Sequence, residues 1–182
     1  MDYYGNDADS LTFDMFQFFK QQPVKREDFG DLQLEYDIDT SLFLRHVPSR
    51  WLTLLPAMER VLKNWSVSVD YFTEQLPNSI KSKSQKKNLE TNEKYRRICK
   101  NLTDRKVMVQ VAFLMSVTPL FEKFLTIFQC KGPIVHVILD ECSSLLRTVI
   151  GRFMKTDVVG DKTGRRLLEI DCKDAKKQLL DK

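Results

Sequence analysis

One short run in this chain reads as a β-strand, and every other periodic stretch reads as helix. Residues 42–47, Leu-Phe-Leu-Arg-His-Val, are compact and apolar, and Pro48 has no N–H with which to continue a ladder. A lone strand cannot make a sheet, so this one either pairs outside the chain or stays a coil. The expected fold is therefore mainly α. Ser49 suits the N-cap of a following helix, which puts Arg50 and Trp51 where a strand becomes a helix. Side chains at such junctions often do chemistry or touch nucleic acid.

Apolar spacing predicts the helices. Residues 1–9 read as a disordered lead-in, with Ser10 capping a Phe-rich helix to about Gln21, which Pro23 breaks. A second helix is expected from Val24 to Tyr36, with Gly30 weakening it. From Ser49 to about Leu76, Leu52, Leu55, Met58, Val61, Leu62, Trp65, Val69 and Phe72 recur at three- and four-residue steps, predicting one long helix. Residues 77–88 hold turn formers and a lysine run and read as an exposed basic loop. Further helices are expected at 89–102, from Thr103 or Asp104 to Gln129 with a bend at Pro119, and from Pro133 to Met154. The tail, 157–182, reads as poorly ordered, with 166–170 as a possible short strand.

Charge is unevenly spread. Residues 1–40 hold ten acids and three bases, whereas 81–106 hold ten bases and three acids. That basic block suits a polyanion or an import signal, and it also suits a solvated surface. The cysteines, 99, 130, 142 and 172, stand apart with no Cys-x-x-Cys spacing, and with only His46 and His136 beside them they offer no zinc site. They read as free thiols in a reducing compartment. The uncharged run 107–121 is too short and polar for a bilayer span, and reads as a core helix with no membrane role.

Five segments, taken in order, resemble one known family. They are Asp14-Met-Phe-Gln-Phe-Phe-Lys20, His46-Val-Pro-Ser-Arg-Trp-Leu-Thr-Leu-Leu-Pro-Ala-Met-Glu-Arg60, Pro119-Leu-Phe-Glu-Lys-Phe-Leu125, Val135-His-Val-Ile-Leu139 and Leu146-Arg-Thr-Val-Ile-Gly-Arg-Phe153. Over roughly residues 10–156 the chain resembles hAT-superfamily DNA transposases, and most of all their domesticated descendants. The resemblance implies a split RNase H-like core, in which three carboxylates hold two metal ions that stabilise the attacking and leaving oxygens. It implies that residues 10–47 are a remnant of that core, helices plus the strand at 42–47, and that 48–156 are the helical insertion. It also implies that the chain starts after the first two catalytic acids and stops before the third. The zinc finger and the dimerisation segment are expected to be missing as well.

The expectation is then a catalytically inactive, truncated relative with at most residual nucleic-acid binding and no cofactor or metal. Other carboxylates do not supply a site. Asp37 and Asp39 flank Ile38 as solvated turn acids, and His136 with Asp140 is a pair without companions. Ser143 and Ser144 lack a nucleophile elbow. The candidate nucleic-acid residues are Arg50, Trp51, Lys81, Lys83, Lys86, Lys87, Arg96 and Arg97. Arg50 can hold a phosphate and Trp51 can stack on an unpaired base, or both can be structural, a snorkelling cation and a core anchor. Partners follow as DNA, bound weakly and salt-sensitively, and another protein or a second copy at apolar helix faces left exposed. The expected location is the nucleus, otherwise the cytoplasm. A helical protein-interaction module with no nucleic-acid role is the alternative.

Overall fold

A computed structural model describes residues 7–47, 53–129 and 135–179, and it is mainly α. Eleven helices run in order among the described residues: α1 Asp7–Lys20, α2 Pro23–Glu35, α3 Leu54–Lys63, α4 Trp65–Asp70, α5 Leu76–Ser79, α6 Lys83–Thr91, α7 Glu93–Thr103, α8 Arg105–Phe128, α9 Val135–Ile150, α10 Thr156–Val159 and α11 Arg165–Leu168. Tyr71–Gln75, between α4 and α5, forms a π-helical turn. The chain divides into two compact units, Met1–Ser116 and Val117–Lys182, with the boundary inside α8.

The first unit is built on an aromatic core. Ala8, Leu11, Met15, Phe18 and Phe19 line one face of α1 at helical spacing, and all are buried. Asp7 and Asp9 in its first turn and Lys20 in its last complement the helix dipole. Phe19 is the hub, with ring centroids 5.3 Å from Phe18, 4.8 Å from Phe29, 5.5 Å from Phe43 and 5.7 Å from Phe72. Most of these pairs are tilted or edge-on, as ring quadrupoles favour. Leu54, Ala57, Met58 and Val61 add α3, and Ile98 and Leu102 add α7. The charged link is the pair of bonds from Arg97 on α7, Nε and Nη2, to Asp14 on α1 at 2.8 and 2.9 Å.

Residues 41–47 do not form a strand, and no described residue belongs to one. The expected strand stays an irregular segment because side chains hold it in place of a sheet. Phe43 enters the aromatic core, the Gln33 carboxamide accepts from Ser41 N–H at 3.2 Å and donates to Ser41 C=O at 3.1 Å, and Val47 N–H donates to Thr53 Oγ1 at 3.0 Å. The long helix expected from residue 49 also differs. It is interrupted at Asn64, whose buried side chain donates to Arg60 C=O at 2.8 Å and accepts from Gln33 at 2.6 Å. Beyond Asp70 the ladder slips into the π turn. There Phe72 C=O accepts the Tyr95 hydroxyl at 2.7 Å, a side-chain insertion of the kind that loosens a helix.

Three further expectations are corrected. The lead-in is helical from Asp7, because Ala8 and Leu11 anchor it in the core. The loop expected over 77–88 is mostly helix, α5 and α6, with residues 80–82 between them, because Leu89 gives α6 a buried anchor. The tail of the second unit is folded rather than loose. Met154, Val159 and Leu167 are buried together, with Leu146, Ile150 and Ile170 against them. Arg147 donates to the carbonyls of Gly160 and Lys162 at 2.9 and 2.6 Å, and Met154 bridges to Gln178. Residues 165–168 are helix α11, so no strand forms there. In this unit α9 buries none of its residues; Ile138, Cys142, Leu145 and Val149 along it are only partly covered.

α8 has 24 residues and is long and apolar enough, by length and composition alone, to cross a membrane. In the first unit its Val107 and Val111 belong to the core, while Met108, Val109 and Phe113 are exposed. The expected core helix is thus a core helix along one face only.

Candidate nucleic-acid interface

The basic segment becomes an ordered surface because two short helices carry it. Ser82 takes an extended N-cap conformation before α6, and Leu89 is the helix's one buried side chain. With Leu89 facing the core, Lys83, Lys86 and Lys87 fall on exposed positions spaced three and four apart, within reach of one polyanion. Lys81 precedes them in the connector and is also exposed. Asn92 ends α6 and starts α7: its N–H donates to Leu89 C=O at 3.0 Å, and its Oδ1 accepts from Tyr95 N–H at 3.1 Å. On α7, Tyr95, Ile98 and Leu102 turn inward, leaving Arg96 and Lys100 exposed one turn apart.

The candidate residues separate into three groups. Lys81, Lys83, Lys86, Lys87 and Arg96 are exposed and make no ion pair with any described residue. Arg97 is committed elsewhere: its guanidinium grips the buried Asp14, which pushes its pKa still higher. Removing it from Asp14 to hold a phosphate would leave a buried carboxylate unpaired, a cost of several kcal/mol. Arg97 is therefore a structural cation. Arg50 and Trp51 lie outside the described residues.

Among the described residues, no aromatic side chain interleaves with the basic set. Tyr95 is buried, and desolvation raises its pKa well above the ordinary phenol value. Its hydroxyl is held by Phe72 C=O, so its ring cannot stack on a base. Among the described residues the surface offers cations without a stacking platform, which suits phosphate contacts rather than base readout.

Other chemistry-bearing groups are absorbed by structure. His46 is buried, with Nδ1 3.0 Å from Thr53 Oγ1 and Nε2 3.5 Å from Asp9 Oδ1. Thr53 Oγ1 already accepts the Val47 N–H, so it pins the segment before α3 rather than standing free as a nucleophile. Ser143 Oγ accepts Gly164 N–H at 3.1 Å. Asp39 lies 3.4 Å from Lys63, and Asp37 adopts φ 55° at the turn after α2, as a solvated turn acid can. No group of three or more His, Cys, Asp or Glu among the described residues is placed to hold a metal ion. Burial raises the Cys99 pKa, which keeps it a thiol.

Sequence patterns did not reveal the Gln33–Ser41–Asn64 network or the Asp14–Arg97 pair. Gln33 and Asn64 are polar residues within helical stretches, and nothing local marks them as buried. Asp14 offered a faint signal, being a lone acid four residues before Phe18 on the apolar face of α1. No family model matches the chain, and no curated protein or solved structure is found to be similar to it.

Proposed function

We propose that this chain is a non-catalytic helical protein of transposase-derived ancestry whose remaining biochemical activity is weak, salt-sensitive binding of nucleic acid. One observation supports this above others: Lys81 in the connector and Lys83, Lys86, Lys87 and Arg96 on the adjoining short helices stand exposed with no acidic partner among the described residues. Lysines in that state are free to neutralise phosphates, and each phosphate they neutralise releases cations condensed on the polyanion, with a gain in entropy. Among the described residues no stacking ring accompanies these cations, so binding through them follows charge and strand geometry rather than sequence. The same basic run can serve as a nuclear import signal, with the cytoplasm as the other location.

The test is fluorescence anisotropy with labelled single-stranded, hairpin and duplex DNA between about 50 and 200 mM salt, the range over which phosphate-contact binding falls steeply. Wild type should bind at low salt. Neutralising Lys81, Lys83, Lys86 and Lys87 to Gln should weaken binding by tenfold or more. A hairpin preference that disappears in Trp51→Ala would add the Arg50-Trp51 block to the interface. No binding at low salt would overturn the proposal.

A second reading is favoured by α9, which buries nothing and leaves Val135 and Leu139 79% and 76% exposed. Such a face suits a protein partner. A complex formed there would persist at high salt, where nucleic-acid binding fails.

A further inference from the structure

A cavity of about 400 Å³ opens in the first unit, lined by Lys25, Ile80, Gln85, Asn88, Leu89 and Asn92. Its size falls in the range of small-ligand sites. Gln85, Asn88 and Asn92 stand three and four residues apart along α6 and its C-terminal cap, so they share one face of that helix. The side chains of Gln85 and Asn88 make no hydrogen bond with any described residue. Asn92 spends its Oδ1 on Tyr95 N–H and keeps its Nδ2 donors. Leu89 is buried and Ile80 packs against the core, and together they give the cavity an apolar wall. Lys25, in the first turn of α2, is the one charged residue in the lining. Its Nζ lies 4.9 Å from the centroid of the Phe18 ring and forms no ion pair with any described carboxylate. Burial lowers its pKa, while Asp28, one turn on, acts in the opposite sense.

We propose that this cavity takes one unpaired nucleotide of a bound strand, so that the preferred ligand is single-stranded nucleic acid or a duplex with a single-stranded overhang. The inference rests on the proposed nucleic-acid binding and names the form of ligand that binding favours. Each part of the lining matches one part of a nucleotide. The apolar wall of Ile80 and Leu89 suits the face of a base. The carboxamides of Gln85 and Asn88, each carrying donors and an acceptor, suit its polar edge, and the Watson–Crick edge is open only when the base is unpaired. The Lys25 ammonium suits the phosphate. A carboxamide matches the edges of more than one base, so the cavity distinguishes paired from unpaired nucleotides rather than one sequence from another. The lining holds no carboxylate, which disfavours a cationic ligand. Lys81 and Lys86 are the chain neighbours of the lining residues Ile80 and Gln85, so a strand held by the exposed cations passes close to the cavity.

Fluorescence anisotropy on the full chain, at about 50 mM salt, tests this with three labelled probes. They are a blunt DNA duplex, the same duplex with a single-stranded overhang, and that overhang made of abasic residues, which keep the phosphates and lack the bases. Wild type should bind the overhang duplex about tenfold more tightly than the blunt one, the gain expected of two or three neutral hydrogen bonds. The abasic overhang should lose most of that gain. The double variant Gln85→Ala, Asn88→Ala should bind the blunt and overhang duplexes with nearly equal affinity. Both positions are exposed and alanine favours a helix, so far-UV circular dichroism should be unchanged. In nuclear magnetic resonance, the side-chain amide signals of Gln85 and Asn88 should shift on adding the overhang duplex and stay in place on adding the blunt one. Equal affinity of wild type for blunt and overhang duplexes would overturn this inference and leave the proposed nucleic-acid binding standing. A gain that survives in the abasic overhang, or in the double variant, would also overturn it. Failure of all three probes to bind would overturn the nucleic-acid reading itself, and this inference with it.

Discussion

At Gln33 a single carboxamide bonds both backbone groups of Ser41 and reaches Asn64 Oδ1 at 2.6 Å, so three parts of the first unit depend on one side chain. Gln33→Leu keeps the volume but leaves buried polar groups unpaired, each costing about 1–3 kcal/mol. The expected loss is about 2–4 kcal/mol, read as a lower urea midpoint with unchanged slope. Gly30, in α2, gives a prediction of opposite sign. A Cβ there would meet only Thr40 Cγ2 at 3.8 Å, an ordinary contact, so Gly30→Ala should stabilise by about 0.5–1 kcal/mol. Arg97 separates structure from binding. Arg97→Gln should lower stability by about 2–3 kcal/mol, since half of its side chain is solvated, and should change DNA affinity less than neutralising Lys86 and Lys87 does.

Among the elements, the π turn and α7 make the first unit sensitive to alkali. Tyr71 donates to Lys25 C=O at 3.0 Å and Tyr95 to Phe72 C=O at 2.7 Å, and burial raises both phenol pKa values above the ordinary 10.0. Above about pH 10 the unfolded tyrosines lose protons that the folded ones keep. The folded state then binds more protons, and stability falls as pH rises, by about 1.4 kcal/mol per pH unit for each tyrosine. Lys25, whose pKa burial lowers, acts in the opposite sense and softens the decline. Urea titrations from pH 9 to about 11.5 should show the fall, and Tyr95→Phe should remove about half of its slope. Most helices were legible because Leu11, Met15 and Phe18, or Ile98 and Leu102, recur at helical steps. The break at Asn64, the π turn and the coil at 41–47 were not, because distant partners cause them: Gln33, Tyr95 and the aromatic core. Helix α6 was hidden by its composition, since Leu89 is the only apolar residue between Lys81 and Thr91. The basic surface itself was legible from charge alone. That Arg97 lies outside it depends on Asp14, 83 residues away.

For the whole molecule, the proposed nucleic-acid binding and its protein-partner alternative rest on different surfaces. The acidic block at 1–40 is partly consumed inside the fold, where Asp14 is buried against Arg97, whereas Lys81, Lys83, Lys86 and Lys87 stay solvated and unpaired among the described residues. The second unit adds an apolar helix, α9, with no buried residue. Electrostatic binding and apolar binding respond oppositely to salt, so one titration separates them. The most direct measurement is the slope of log affinity for duplex DNA against log salt concentration, for wild type and for the variant with Lys81, Lys83, Lys86 and Lys87 changed to Gln. Four phosphate contacts give a slope of about −3.6, and the variant should lose most of it along with its low-salt affinity. A flat slope in wild type, or a variant that keeps the wild-type slope, would contradict the account.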